Sequence, residues 1–535
     1  MTLFDLHKRI LPLALAVGIL ASAGCGSRKQ DSQATEGDSL ATDSIATQET
    51  VESIERLPDT VYTSAAKISH VIEVKDSAAE GRIDNLTNLY GKTNSILTFR
   101  KGPLRQGDFK AKLDSLPTSM KIDWTIETEL ERKDTVYGPW GGGTGWTGQP
   151  LYVEWPDSVA AKMKRNSAVT GDFTGKEVIF GSLCGKLYFL NPQSGKFTRQ
   201  PVDVGNPIKG TASVDPTFNG NIYVGQGVPA SRPFGAKAIS LLDNKTIDFM
   251  PEDPKAWRHW GAYDSSPIRV GQFLFRPAEN GSLYKYLVKA NGEISLQATL
   301  RYKVNGAAPG IESSMAVYAN YGFLADNHGN ILAVNLDNLK PVWHYSLDDD
   351  TDASPMVAIE DEHPYVYVGC EIDRVDRGFA KFAKLNAITG EKVWEITPEG
   401  RRYNIGKKHF DGGFYASPLL GEGDCADMIF TNRVKNTNGQ NGVFMAISRK
   451  DGKVLYETPL AHYSWSSPAG LQTKDGQMLI VTADGSGNLY LIEGKSGRIL
   501  IKKSVGYNFE SSPIIINNTI YIGSRSNGLN KITLL

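Results

Sequence analysis

The sequence predicts an all-β fold, an eight-bladed β-propeller of four-stranded antiparallel blades. Three observations predict it: a recurring small-small-Pro element, a Gly-turn hairpin that follows each copy, and a repeat spacing of about 40–60 residues. Short apolar runs separated by Asn/Asp/Ser-Gly turns are typical of hairpins, and repeated hairpins of this kind form propeller blades. The copies of the first element are Ser265-Ser266-Pro267, Ala353-Ser354-Pro355, Ala416-Ser417-Pro418, Ser466-Ser467-Pro468 and Ser511-Ser512-Pro513, with degenerate copies at Ser313-Ser314-Met315 and Thr211-Ala212-Ser213.

We place the small-small-Pro element on the innermost strand of each blade. Blades converge near the axis, so side chains there must be small, and a proline does little harm on an edge that faces a channel. The Gly-turn hairpin leads into the fourth strand, where an aromatic residue follows the turn. We expect these aromatic residues, Trp343, Trp394 and Tyr456, to pack against the next blade.

The two ends of the chain set the number of blades. The last unit, from Ser511 to Leu535, has three strands and stops before a fourth. Far upstream, Lys121 to Glu127 matches the fourth-strand pattern without preceding strands of its own, so an N-terminal strand around Trp124 is predicted to close the ring. Blades then begin near residues 147, 210, 263, 312, 352, 415, 465 and 510, which makes eight; seven is the alternative if one degenerate unit is an insertion.

The N-terminus has the pattern of an export signal. Basic residues precede an apolar run from Ile10 to Ala23, too short to span a bilayer, which ends in small residues before Cys25. This resembles a bacterial lipobox, so we expect residues 1–24 to be a signal peptide and Cys25 to be lipidated; an ordinary signal peptide is the alternative. The segment 25–90, poor in apolar residues at its start, is predicted to be a disordered tether, and 91–535 the propeller.

Composition and motifs exclude several functions. A formal net charge of −1 argues against a globally basic nucleic-acid binder. The sequence contains no HExxH, GxSxG or zinc-spaced Cys/His pair, and Cys184, Cys370 and Cys425 are expected to be buried small side chains. The acidic run Asp348 to Asp352 could hold Ca²⁺, but acidic turns are usually solvated. We therefore predict no metal and no cofactor.

The hairpin from Leu385 to Trp394 resembles the pyrroloquinoline-quinone-type propeller repeat, whose signature is Ala-x-Asp-x-x-Thr-Gly-x-x-x-Trp. The resemblance covers about residues 95–535 and implies the propeller fold. The superfamily includes quinoprotein dehydrogenases and the lipoprotein subunit of the outer-membrane β-barrel assembly machinery. Those dehydrogenases share adjacent cysteines, a Ca²⁺ shell and a catalytic Asp. This chain lacks adjacent cysteines, which disfavours a quinone-dependent enzyme.

The loops between blades offer the best candidate site. Connections between blades and the loops between second and third strands emerge on the same face of a propeller. Here they are rich in Trp, Tyr, His and Arg, the residues enriched at interface hot spots, although many such aromatics simply seal seams between blades. The candidate residues are Trp140, Trp146, Arg232, Phe234, Trp257, Arg258, His259, Trp260, Arg374, Arg377, His409, Phe410, Arg433, His462, Tyr463 and Trp465.

These observations predict a non-catalytic, lipid-anchored envelope protein that binds partners through one propeller face. By the resemblance, its partners would be envelope or outer-membrane proteins, and its role a scaffold in outer-membrane protein assembly. Ser27-Arg28-Lys29-Gln30 lacks the acidic residues linked to surface display, so an outer-membrane anchor facing the periplasm is expected, with the cell surface as alternative. The alternative functions are a carbohydrate-binding propeller and a quinone-dependent dehydrogenase.

Overall fold

The computed structural model describes residues 54–75, 82–130, 135, 142–145, 148–231, 233–405, 408–525 and 528–535 of the 535-residue chain. Within them, eight antiparallel sheets form an eight-bladed propeller, as predicted. The described residues also contain one α-helix, Asp157–Arg165, and 3-10 helices at Thr63–Lys67, Leu89–Lys92 and Gly423–Cys425. None of the helices in this part of the chain is long and apolar enough to cross a membrane.

Blades 1 to 4 follow one another along the chain, each with its first strand innermost. Blade 1 comprises Leu151–Glu154, Lys176–Gly181, Lys186–Leu190 and Val202–Asp203. Blade 2 comprises Ser213–Val214, Asn221–Gly225, Gly235–Ser240 and Lys245–Pro251. Blade 3 comprises Ile268–Val270, Phe273–Ala278, Ser282–Val288 and Ile294–Val304. Blade 4 comprises Ala316–Tyr318, Tyr321–Ala325, Asn330–Asn335 and Lys340–Ser346.

Blades 5 to 8 repeat the pattern, and the last takes its fourth strand from the N-terminal part of the chain. Blade 5 comprises Met356–Glu360, His363–Gly369, Phe382–Asn386 and Lys392–Ile396. Blade 6 comprises Leu419–Leu420, Met428–Val434, Gly442–Ser448 and Val454–Leu460. Blade 7 comprises Ala469–Thr473, Met478–Ala483, Asn488–Glu493 and Ile499–Ser504. Blade 8 comprises Ile514–Ile516, Thr519–Ser524, Gly528–Leu534 and Met120–Glu127.

Short strands outside the blades lie in the loops of blades 5 and 6. They form the pairs Glu371–Ile372 with Gly412–Gly413, Arg377–Phe379 with Glu399–Arg401, and Tyr403–Ile405 with Lys408–Phe410.

The closure of the ring around Trp124 is confirmed. Met120–Glu127 pairs antiparallel with Gly528–Leu534, so a strand that precedes blade 1 and the C-terminal strand share blade 8. The Trp124 ring lies against Tyr521 of its own blade, with centroids 5.9 Å apart, and against Gly195 of blade 1. Blade 8 is thereby joined to blade 1 by side-chain packing.

Part of the segment that the sequence assigns to a tether packs on the propeller. Ile68–Val74 forms a fifth, outer strand on blade 3, antiparallel to Ile294–Val304. Ile83 is fully buried, and its N–H donates to Asp337 of blade 4 at 2.7 Å. The few apolar residues of this segment pack against outer strands of the blades. Its amino-acid composition alone does not predict this packing. Residues 1–53, including Cys25, lie outside the described residues.

Residues 97–113, which precede the Met120–Glu127 strand of blade 8, run along the axis of the ring and form the axial segment. Leu97 accepts a hydrogen bond from Val214 of blade 2, Pro103 from Val317 of blade 4, and Leu104 from Val357 of blade 5. Asp108–Leu113 then adds a parallel strand to the inner edge of blade 7. This axial segment satisfies the inner-edge groups that an open channel would leave without protein partners.

The second residue of the small-small-Pro element also joins neighbouring blades, a role that small size alone does not predict. The N–H of five of these serines donates to the hydroxyl of the counterpart in the next blade, at 2.8 to 3.0 Å, whereas the Ser512 N–H donates to the Gly148 carbonyl. If only small size mattered, alanine would serve equally well at this position, but the hydrogen bond between blades requires a hydroxyl. The resulting chain of hydroxyls runs through Ser266, Ser314, Ser354, Ser417, Ser467 and Ser512.

The predicted packing of the fourth-strand aromatics is confirmed, and the glycines of the repeat explain it. The fully buried Trp343 donates its indole N–H to Ala387 of blade 5 at 3.0 Å. Its ring fills the place where a Cβ on Gly390 would stand. Gly390 has φ +75°, so the turn needs glycine for its backbone as well. The same arrangement pairs Trp394 with Gly452 and Tyr456 with Gly497.

The three described cysteines are free thiols. Cys370 and Cys425 are buried, as expected of small core side chains, whereas Cys184 is half-buried, in contrast to the expectation.

Candidate functional site

The residue directly before each small-small-Pro element lies at the mouth of the axial channel. In blades 3, 4 and 5 this residue is acidic: Asp264, Glu312 and Asp352. In blades 6 and 7 it is aromatic: Tyr415 and Trp465. In blade 8 it is again acidic, Glu510. The repeated position is therefore acidic in blades 3 to 5 and 8 and aromatic in blades 6 and 7, and this pattern is a signal that the sequence contains.

The mouth leads into a blind cavity. Phe99 of the axial segment and serines of the hydroxyl chain, including Ser354 and Ser417, line it. Asp264, Glu312, Asp352 and Tyr415 line it as well, and its volume is about 20 Å³. This volume suffices for about one water-sized group.

A first group of three carboxylates surrounds a lysine. Oxygens of Asp264, Glu279 and Glu312 lie within 4.8 Å of one another. The ammonium of Lys209 forms an ion pair with Asp264 and lies 3.6 Å from Glu312 and 3.8 Å from Glu279. We call Asp264, Glu279 and Glu312 the first triad; its internal cation is Lys209.

Two oxygens of the first triad are buried without a donor. Oε1 of Glu279, whose side chain is 3% exposed, and Oδ1 of Asp264, whose side chain is 8% exposed, accept no hydrogen bond. Oε2 of Glu279 accepts the Trp260 indole N–H at 2.7 Å. Buried polar atoms without partners are uncommon and indicate capacity for a polar or charged ligand.

A second group of three carboxylates adjoins the first, and the charge of Lys209 also acts on one of its members, Asp352. Oxygens of Asp350, Asp352 and Glu371, the second triad, lie within 4.8 Å of one another. Glu371 is 2% exposed and accepts the N–H of Asp352 at 3.1 Å. Oδ1 of Asp350 is buried and accepts no hydrogen bond. Among the described residues, no lysine or arginine forms an ion pair with this triad.

The two triads perturb each other's titration. Burial, followed by the neighbouring charges of Asp352 and Asp350, raises the pKa of Glu371 well above its usual value. Burial and like charges, Glu312 foremost, also raise the pKa of Asp352. Burial disfavours the Lys209 ammonium, but Asp264, Glu279 and Glu312 outweigh it and hold its pKa well above the usual value. The site as a whole therefore favours an added positive charge.

The aromatic side of the mouth is a stack of rings. Tyr415 and Trp465 lie with centroids 4.6 Å apart, and Tyr463 lies 4.8 Å from Trp465. Phe410 covers the stack from the loop between blades 5 and 6. The Tyr415 hydroxyl donates to Asp411 at 3.3 Å, and Tyr415 lines the cavity together with Asp352 of the second carboxylate group.

The predicted face residues lie at different depths. Trp140, Trp146 and Arg232 lie outside the described residues. The exposed ones are His259, Arg374, Arg377 and His409; the half-buried ones are Trp257, Arg258, Trp260, Phe410 and His462; the buried ones are Phe234, Arg433, Tyr463 and Trp465.

Several predicted residues have internal partners. Arg374 lies 3.8 Å from Asp349, Arg433 pairs with Glu457 at 2.6 Å, and Arg377 pairs with Glu399. The Trp257 ring is covered by the Lys303 ammonium, 4.8 Å from the ring. In the acidic run Asp348 to Asp352, Asp348 is exposed, whereas Asp350 and Asp352 belong to the second triad.

Comparison with known proteins supports the fold. The quinohemoprotein alcohol dehydrogenase of Comamonas testosteroni is 11% identical, with a TM-score of 0.57 over 86% of this chain and 83% of that one. A europium-containing methanol dehydrogenase is 12% identical, with a TM-score of 0.51 over 81% and 90%. The chain shares its propeller fold with these proteins.

A further similar structure is BamB from Moraxella catarrhalis, 13% identical, with a TM-score of 0.49 over 78% of this chain and 100% of that chain. No family model and no curated protein matches the sequence. At these identities the similarity extends to the fold alone, so a function has to be argued from the site.

Proposed function

We propose that this protein is a non-catalytic binding propeller of the cell envelope, anchored through Cys25 and presenting the mouth face to other envelope proteins. The observation that carries the proposal is the mouth itself: six carboxylates and a stack of aromatic rings at one end of a blind channel. Tyr and Trp, which form the stack, are among the residue types enriched at interface hot spots. The N-terminal pattern supports the export and the anchor, with the outer membrane facing the periplasm as the location.

A role as scaffold in outer-membrane protein assembly is the specific form of the proposal. Its support is the fold, shared with BamB among others, and the position of the candidate residues on loops held by a rigid ring.

The alternatives receive less support from the site. A cavity of about 20 Å³ has room for an ion or an ammonium, not for a tricyclic quinone. Sugar binding requires free aromatic faces, but Trp465 is stacked on Tyr415 and Trp257 is covered by Lys303. Both observations favour partner binding over the two alternatives.

The test is mild crosslinking in the producing cells, followed by purification of the full-length protein under denaturing conditions. We expect a membrane β-barrel protein among the crosslinked species. Purified protein that retains a quinone-like absorbance through dialysis, or that binds a glycan array without any crosslinked envelope protein, would overturn the proposal.

A further inference from the structure

We infer that Asn438 is a site of spontaneous deamidation, which converts it to aspartate or isoaspartate and adds a negative charge to the mouth face. Asn438 is followed by Gly439 and lies in the loop between the second and third strands of blade 6. The inference is independent of the proposed function, because the reaction needs only this chain and water. Protein molecules of different ages then present mouth faces that differ in charge.

The reaction joins an asparagine side chain to the peptide nitrogen of the next residue. The Gly439 nitrogen loses its proton and bonds to Cγ of Asn438, while the Cγ–Nδ2 bond breaks and the amide nitrogen leaves as ammonia. Water then opens the resulting cyclic imide at either carbonyl, which yields aspartate or isoaspartate without any change of oxidation state. Glycine favours the ring closure because it has no Cβ and rotates more freely than other residues.

The sequence contains seven Asn-Gly pairs, and hydrogen bonds distinguish those that the structure describes. The asparagine of one pair, Asn527, lies outside the described residues. In four pairs the side-chain oxygen accepts a nearby backbone N–H; these asparagines are Asn219, Asn280, Asn291 and Asn441. The nitrogens of Gly281 and Gly292, which would have to attack, also donate hydrogen bonds, both at 3.0 Å. The remaining candidates are Asn305 and Asn438.

Asn305 and Asn438 have similar local surroundings. Both are exposed, and among the described residues neither side-chain amide has a hydrogen-bond partner. The glycines that follow them, Gly306 and Gly439, have φ of +83° and +78°. A Cβ on either glycine would meet nothing within 4 Å. Access and the identity of the next residue therefore do not separate the two sites.

The two sites differ in the bonds that hold their turns. Asn305 lies in a tight hairpin turn, in which Val304 and Ala307 each donate their N–H to the other's carbonyl at 3.0 Å. Ring closure requires rotation of the asparagine backbone, which would break the bonds across this turn. At the tip of the other loop, the Asn438 N–H donates to Oδ1 of Asn441 at 3.3 Å. Fewer and longer hydrogen bonds thus oppose the reaction at Asn438.

The experiment incubates the folded full-length protein in mildly alkaline buffer and follows both asparagines by peptide mapping with mass spectrometry. Asn305 is the matched control within the same sample. We expect Asn438 to convert about tenfold faster than Asn305, the factor that corresponds to about one more hydrogen bond broken at Asn305. In guanidinium chloride, where both turns are unfolded, the two rates should become similar. G439A should slow conversion at Asn438, because the added Cβ hinders ring closure, and leave the rate at Asn305 unchanged.

Three results would overturn the inference. Equal rates at Asn305 and Asn438 in the folded protein would show that the bonds across the turns do not select the site. Faster conversion of Asn305 would reverse the assignment. Conversion of Asn438 in guanidinium chloride but not in the folded protein would show that the native loop prevents the ring closure.

Discussion

Substituting Gly390 by alanine tests how neighbouring blades are joined. An added Cβ would lie 2.5 Å from the Trp343 ring, closer than such atoms approach in proteins. Trp343 is fully buried, and its indole N–H is held by Ala387, so the ring has no room to move aside. The φ of +75° adds a backbone cost for any residue with a Cβ.

A matched variant at Gly439 separates the cost of the contact with Trp343 from the cost of the positive φ. Its φ is +78°, almost the same, but a Cβ there would meet nothing within 4 Å. We expect G439A to lower the free energy of unfolding by about 1 kcal/mol, from the left-handed backbone less the entropy gained in the unfolded chain. G390A should cost about 1–3 kcal/mol more, from overpacking against the tryptophan.

The assay is urea denaturation followed by tryptophan fluorescence, with G390A repeated in a W343L background. If the collision is the cause, the cost of G390A in that background falls to that of G439A. Equal losses for G390A and G439A in the wild-type background would refute this account of blade packing.

Three further predictions concern the inner hydroxyls, a buried histidine and the anchor. S354A removes the acceptor of the Ser314 N–H at the axis, and urea midpoints should show a loss of about 1–3 kcal/mol; an unchanged midpoint would contradict the role of the hydroxyl chain. Burial, helped by Lys67, lowers the pKa of His344 to about 4, so the folded state binds fewer protons and stability should rise with pH from about 4 to 6.5. H344Q should lack this slope, and parallel pH profiles of H344Q and wild type would refute it. C25S should move the protein from the membrane to the soluble fraction whereas C184S should not; retention of C25S in the membrane would exclude the lipid anchor.

Most of the fold could be predicted from the sequence because its repeat encodes local geometry. Turn glycines, strand alternation and the fourth-strand aromatics each act within a blade or between neighbours. The fourth-strand pattern around Trp124, which has no preceding strands of its own, then predicted how the ring closes. The path of the axial segment could not be predicted, because it depends on inner edges from many blades that come together only in the closed ring.

The site was predicted less completely. The loops that form the mouth face followed from propeller topology, but their residues were chosen by type, and several prove to be internal packing or ion pairs, such as Tyr463 and Arg433. The two triads were missed because Glu279 and Glu371 are distant in sequence from the acidic residues they join. Only the residue before each small-small-Pro element carried a signal, at Asp264, Glu312 and Asp352.

Site-specific photocrosslinking tests the central claim, binding through the mouth face, most directly. Loops between first and second, and between third and fourth, strands emerge on the face opposite the mouth, where Lys450 is exposed; His259 is exposed on the mouth face. A photoreactive residue at His259 should capture a membrane β-barrel protein in the producing cells, and one at Lys450 should not. Capture at Lys450 alone, equal capture at both, or none at either position would contradict the account.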